Sequence, residues 1–145
     1  MINGQAMEAE DKLRKYQNNT NSKFDIDLDF GVHYENSLAK ILSIGKVEVK
    51  TERDKWKKTG NIAIELSCEG NLSGLNITEA DWWAHILTID KKVVGVYLWP
   101  VDKLKEIVKQ SVKYGEGKVV FGGDNKAAEL ALIPFKDLTK ALYGF

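Results

Sequence analysis

Glu48 and Lys50 flank a single valine, and a further acid, Glu65, closes the run Asn61-Ile62-Ala63-Ile64-Glu65. In an extended chain, side chains two apart share a face. Val47 and Val49 then point one way and Glu48 and Lys50 the other. On the second run Ile62, Ile64 and Leu66 form the apolar set, with Ala63 and Glu65 opposite. If the two apolar faces coincide, Glu48, Lys50 and Glu65 project from the same side. Glu35 adds a third carboxylate. It lies three residues before Leu38 and seven before Leu42, beside the apolar face of a helical segment. A helix packed on the strands would carry it towards the others. Several carboxylates with one lysine suit hard-cation phosphodiester chemistry. Oxygen ligands hold Mg²⁺, which keeps several of its waters. The ion stabilises charge developing at phosphorus and lowers the pKa of a bound water, while a lysine orients that water or offsets phosphate charge. Taken singly, Glu-x-Lys on a strand marks a solvated face or a cross-strand ion pair, and Glu35 an ordinary surface position. The conjunction within 31 positions is what points to chemistry.

The elements that must position these residues follow from periodicity. Residues 1–23 read as a polar N-terminal arm, and residues 24–145 as one folded domain. Phe24 to Phe30 alternates apolar and acidic residues, which predicts a half-exposed strand or an extended entry segment. Gly31 ends it, and Tyr34, Leu38, Ile41 and Leu42 are spaced for a helix. Lys46–Lys50 and Asn61–Leu66 predict two strands joined as an antiparallel hairpin through Lys57-Lys58-Thr59-Gly60. Thr78 is placed as the N-cap of a short helix running to Trp83, with Glu79 and Asp81 in its first turn. His85–Ile89 and Val93–Trp99 predict a second hairpin turning at Asp90-Lys91-Lys92. Pro100 stops that strand, and Val101–Tyr114 is an amphipathic helix through Leu104, Ile107, Val108 and Val112. Lys118–Phe121 and Ala128–Ile133 are late strands, and Pro134 opens a short final helix. The class is α/β, a mixed sheet flanked by helices in a single domain.

Six basic residues (Lys46, Lys50, Arg53, Lys55, Lys57, Lys58) stand against three acidic ones between positions 46 and 58, with Trp56 among them. Beside a metal site, Arg53, Lys55, Lys57 and Lys58 would grip phosphates, and Trp56 would stack on a base or wedge between bases. The competing reading is a solubilising loop with a packed tryptophan. Trp82, Trp83 and Trp99 suit a core or a dimer interface. His33, near Glu35, could join the site, whereas His85 suits a structural place in a strand. Gly122-Gly123-Asp124-Asn125 lacks the Gly-Lys-Ser/Thr continuation of a phosphate loop.

Composition excludes several classes. The 145 residues carry 21 basic and 21 acidic side chains, so a polybasic, histone-like protein is ruled out, although a local basic patch is not. Cys68 is the only cysteine, which excludes a disulfide framework and a cysteine-based zinc site. No apolar run reaches the roughly 18 residues of a membrane span, and the start lacks the pattern of a signal peptide. The expectation is a cytoplasmic protein without a membrane partner.

Phe30-Gly31, Glu35, Lys46-Val47-Glu48-Val49-Lys50-Thr51, Thr59-Gly60-Asn61-Ile62-Ala63-Ile64-Glu65, and Ser73-Gly74-Leu75 leading into Thr78-Glu79-Ala80-Asp81-Trp82-Trp83 together resemble small phage-encoded proteins of the PD-(D/E)XK nuclease superfamily. This is the restriction-endonuclease-like fold, which includes Holliday junction resolvases. The resemblance covers roughly residues 30 to 100. It implies a nuclease-like domain, a Mg²⁺-dependent DNA endonuclease (Mn²⁺ substituting) acting on branched DNA, and a homodimer able to cut both strands. It also implies that Glu35, Glu48 and Glu65 hold the ion and that Lys50 assists hydrolysis. The superfamily places one acid on a strand and (Asp/Glu)-x-Lys on the next. With Glu48-x-Lys50 as the second motif, the first acid would be Asp29, 19 positions upstream and ahead of the helix. With Glu48 as the first acid, Glu65 is the second, Ser67 stands where a lysine belongs, and Lys50 serves from the neighbouring strand. The shared face favours the latter register. A member of the fold that binds or assembles on DNA without cutting it is the alternative.

Overall fold

The computed structural model describes residues 22–141, which divide into two compact units meeting at residues 44 and 45. Most of the arm expected at residues 1–23 lies outside the described residues, and those of the first unit form helix α1 (Ser22–Ile44). It replaces the strand expected at Phe24–Phe30. A strand must find a neighbour to satisfy its backbone, whereas a helix satisfies it internally, and the seven strands among the described residues pair without this segment. The helix expected through Tyr34, Leu38, Ile41 and Leu42 is present, continued N-terminally through Gly31.

The second unit holds two sheets. One is mixed, in the order β1 (Val47–Glu52), β4 (Trp82–Ile89), β5 (Lys92–Pro100). There β1 runs parallel to β4, and β4 antiparallel to β5. The other is antiparallel, in the order β3 (Asn71–Leu72), β2 (Asn61–Cys68), β7 (Ala128–Pro134), β6 (Lys118–Gly122). Helices α3 (Val101–Tyr114) and α4 (Phe135–Lys140) pack against β7, and a one-turn helix α2 (Lys55–Thr59) connects β1 to β2. The architecture is α/β, as the periodicity implied. The β4–β5 hairpin, α3, β6, β7 and α4 also lie where expected. Asp90 and Lys91 turn the hairpin with positive φ at both positions, the twist that two-residue hairpin loops require.

Leu104, Ile107 and Val108 of α3 recur at helical spacing and join Ile62 and Ile64 of β2, Trp83 and Leu87 of β4, and Ala131 and Ile133 of β7 in one buried cluster. Each fully buried aliphatic side chain contributes about 1.5–3 kcal/mol through removal from water.

The expected β1–β2 hairpin does not form. The chain leaves β1 into α2, where Gly60, at φ 68°, caps the helix by donating its N–H to Trp56 O at 2.8 Å. Trp56 packs against the core edge-on to Phe135, with ring centroids 5.7 Å apart, and Phe135 N–H donates to Gly60 O at 2.9 Å. These contacts carry the chain from one sheet to the other, so β2 pairs with β7 and β1 with β4. The helix expected from Thr78 is also absent. Asp81 and Trp82 donate their N–H groups to Lys46 O, and Trp82 onward is drawn into the ladder with β1 and β5. Thr78 Oγ1 accepts only from Ala80 N–H, closing a local turn.

Candidate active site

The register of β1 on β4 sets Glu48 beside Trp83, Lys50 beside His85 and Glu52 beside Leu87, three residues buried in the core. The polar face of β1 therefore looks inward. Val49, expected on the core side, is 54% exposed. The assumption that the valine face of β1 matches the isoleucine face of β2 is thus corrected, and its cause is partner choice. Against β4, the inward positions of β1 find polar partners that the valines could not use.

Lys50 Nζ makes an ion pair with Glu48 Oε1 at 2.8 Å and lies 5.8 Å from the centre of the Trp83 ring. Beneath this pair runs a chain of hydrogen bonds. Trp83 Nε1–H donates to His85 Nδ1 at 3.3 Å. An indole nitrogen can only donate, so Nδ1 is the acceptor and the imidazole proton sits on Nε2. His85 Nε2–H then donates to Glu52 Oε2 at 3.3 Å, and Ala63 N–H donates to the same oxygen at 2.8 Å. Glu52 thereby joins β1 to β2 through a side chain, in place of the backbone ladder a hairpin would have supplied. His85 is structural, as expected, but its link from the Trp83 platform to β2 was not legible in the sequence. Glu52 is the residue that the reasoning from sequence missed. Its one signal was its place two beyond Lys50, on the same face of the strand.

Glu48 and Lys50 line an open cleft of about 710 Å³ with Lys46, Gly74, Thr78 and Glu79. Its second wall is the segment after β3. Ser73 Oγ–H donates to Glu65 Oε1 at 2.7 Å, and Gly74 packs directly on the Glu65 backbone. Gly74, which lines the cleft, is thereby tied to Glu65 of the other sheet, while the Glu65 side chain itself is not part of the lining. A β-bulge lies there, since the β2–β7 register shifts between Glu65 and Ser67. Gly74 has φ 50°, and a Cβ would overlap the Glu65 carbonyl oxygen. Gly74→Ala is expected to cost about 1–3 kcal/mol of stability, read as a lower denaturation midpoint.

Glu48 and Lys50 thus share one cleft, whereas Glu65, on the other sheet, is not among the residues that line it, so the expected convergence of all three is not seen. Glu35 and Asp29 are exposed on α1, six positions apart and so on different faces of that helix. Among the described residues, no three His, Cys, Asp or Glu side chains form a group able to hold a metal. Arg53, Lys55, Lys57 and Lys58 are exposed on α2 and the residues leading into it. Trp56 is not free to stack on a base. Its Nε1–H donates to Thr88 O at 2.9 Å and its ring packs on Phe135. No helix of the described residues is long and apolar enough to cross a membrane.

Compared with protein-family models, curated sequences and solved structures, the chain gives no match.

Proposed function

We propose that the chain is a Mg²⁺-dependent DNA endonuclease of restriction-endonuclease-like architecture, acting on branched DNA as a homodimer. The observation that carries this reading is the Glu48–Lys50 pair, half-exposed in an open cleft. Glu48 is a carboxylate open to the cleft, and Mg²⁺ is commonly bound through one or two carboxylates while keeping its remaining waters. By the resemblance, Glu48 and Glu65 would be the carboxylates of the second unit that hold it. When bound, the ion would stabilise charge at phosphorus and supply a water of lowered pKa. Lys50, held over Trp83 and beside Glu48, orients the attacking water or offsets phosphate charge. Arg53, Lys55, Lys57 and Lys58 begin about 10 Å along β1 from Lys50, at 3.3 Å per residue. That distance spans about three base-pair steps of duplex, so these cations suit phosphates flanking the scissile one.

A second reading is a DNA-binding or assembly protein of the same architecture that does not cut. The absence of any three-ligand group among the described residues favours it. One experiment separates the two readings. Supercoiled plasmid and a four-way DNA junction are incubated with the full chain and Mg²⁺ or Mn²⁺, and binding and cleavage are followed across a salt series. Metal-dependent nicking, with binding that falls steeply as salt rises, is expected. Salt-sensitive binding with no product under either metal would leave the non-cutting reading, and no binding at all would remove both.

A further inference from the structure

Lys50 has a carboxylate on either side of it along its own strand. Glu48 and Glu52 stand two positions away in each direction and share its face of β1. Lys50 pairs with Glu48, at 2.8 Å, and Glu48 lines the cleft, whereas Glu52 is not among the lining residues. Glu52 is engaged elsewhere. Its Oε2 accepts from His85 Nε2–H at 3.3 Å and from Ala63 N–H at 2.8 Å, which draws the carboxylate towards β2. The other imidazole nitrogen acts on Trp83. Nδ1 accepts from Trp83 Nε1–H at 3.3 Å, which fixes the indole whose ring centre lies 5.8 Å from Lys50 Nζ. Within about 6 Å, an aromatic face attracts an ammonium. Trp83 and His85 are 0% and 1% exposed, so neither can turn to water for a substitute partner.

We propose that His85 is a positioning residue: by holding Glu52 and the Trp83 ring at once, it directs the Lys50 ammonium to Glu48 and the cleft. The inference rests on the endonuclease reading above, in which Lys50 serves hydrolysis. Without His85, Glu52 loses a partner and competes with Glu48 for Lys50, and the indole loses the bond that sets its plane. A histidine kept only for packing would change stability and leave the contribution of Lys50 untouched.

The test is a double-mutant cycle between His85 and Lys50, read as single-turnover cleavage of supercoiled plasmid with Mg²⁺ beside thermal denaturation of each variant. His85→Leu, which fills the site but bonds neither partner, is expected to slow cleavage about 10–10²-fold, the scale on which a displacement of about 1 Å acts. In a Lys50→Ala background the same substitution is expected to slow it less than about twofold, because the lysine it would displace is gone. His85→Asn, whose side-chain oxygen replaces Nδ1 as acceptor, is expected to recover part of the rate. If His85→Leu does not fold, His85→Gln takes its place in the cycle, since its amide reaches towards Glu52 but offers Trp83 no acceptor at the Nδ1 position. Slowing by the same factor with and without Lys50 would overturn the role of His85 and leave the endonuclease reading intact. A folded His85→Leu variant that cleaves at the wild-type rate would do the same. Failure of the wild type to cleave would overturn the endonuclease reading and this role with it.

Discussion

On the proposed endonuclease reading, replacing Lys50 with alanine is expected to slow Mg²⁺-dependent DNA cleavage by about 10²–10³-fold, the usual cost of removing one preorganised group that stabilises transition-state charge. The protein should stay folded. The Lys50 and Glu48 side chains are 43% and 35% exposed, and an ion pair so open to water contributes at most about 1 kcal/mol. Activity and stability should therefore separate, with single-turnover cleavage falling steeply while the thermal midpoint moves little. Glu48→Ala should be at least as damaging, because it removes a carboxylate from the cleft and the partner that restrains Lys50. Lys50→Arg restores charge but not geometry, since a planar fork cannot reproduce a compact ammonium over Trp83, so partial activity is expected. Cleavage that persists at the wild-type rate in both alanine variants would place the chemistry elsewhere.

The largest expected loss of stability lies far from the cleft. Asp137, in the first turn of α4, is fully buried. Its Oδ2 accepts from Ser111 Oγ–H at 2.6 Å and from Glu116 N–H at 2.9 Å, tying α4 to the C-terminal end of α3. Oδ1 is buried without a hydrogen-bond partner among the described residues. Burial pushes this carboxyl up, but the Ser111 hydroxyl, the Glu116 N–H and the nearby Lys140 and Lys136 outweigh it, so it lies below the usual aspartate range. Asp137→Ala strands a buried hydroxyl and an amide. At about 1–3 kcal/mol for each unsatisfied group, a loss of about 2–6 kcal/mol is expected, measured by urea denaturation. Because the folded value lies below the unfolded one, the carboxylate contributes stability above about pH 4, and that contribution is lost as pH falls through the folded value. Asp137→Asn should flatten this acid-side decline. A wild-type acid profile in that variant would show that other groups set it.

Both expectations rest on features differing in how far the sequence displayed them. The helix Val101–Tyr114 and the hairpin after Trp82 were legible because each is a local pattern: apolar residues at helical spacing, or alternating runs about a two-residue turn. Ser111 and Asp137 gave no such signal. They are 26 positions apart, and only the packing of α3 on α4 brings them together. The chemistry-bearing residues were also legible by type. The Glu48-Val49-Lys50 strand and the Asn61–Glu65 run are strands with their acids on alternate positions.

Partner choice was the hidden variable. Alternation says that two sets of side chains face opposite ways, but not which set faces the core. The sequence by itself determined that Glu48 and Lys50 share one face of a strand, that Glu65 ends another, and that cations follow the first. The tertiary structure decided which face is which. Trp56 packs on Phe135 and turns the chain away from a hairpin, and the Trp83–His85–Glu52 chain gives the polar face of β1 inward partners. Ser73 and Gly74 then tie one wall of the cleft to Glu65 of the second sheet. Strand pairing is long-range and depends on which neighbours satisfy backbone and side chains at once, so no local pattern could reveal it.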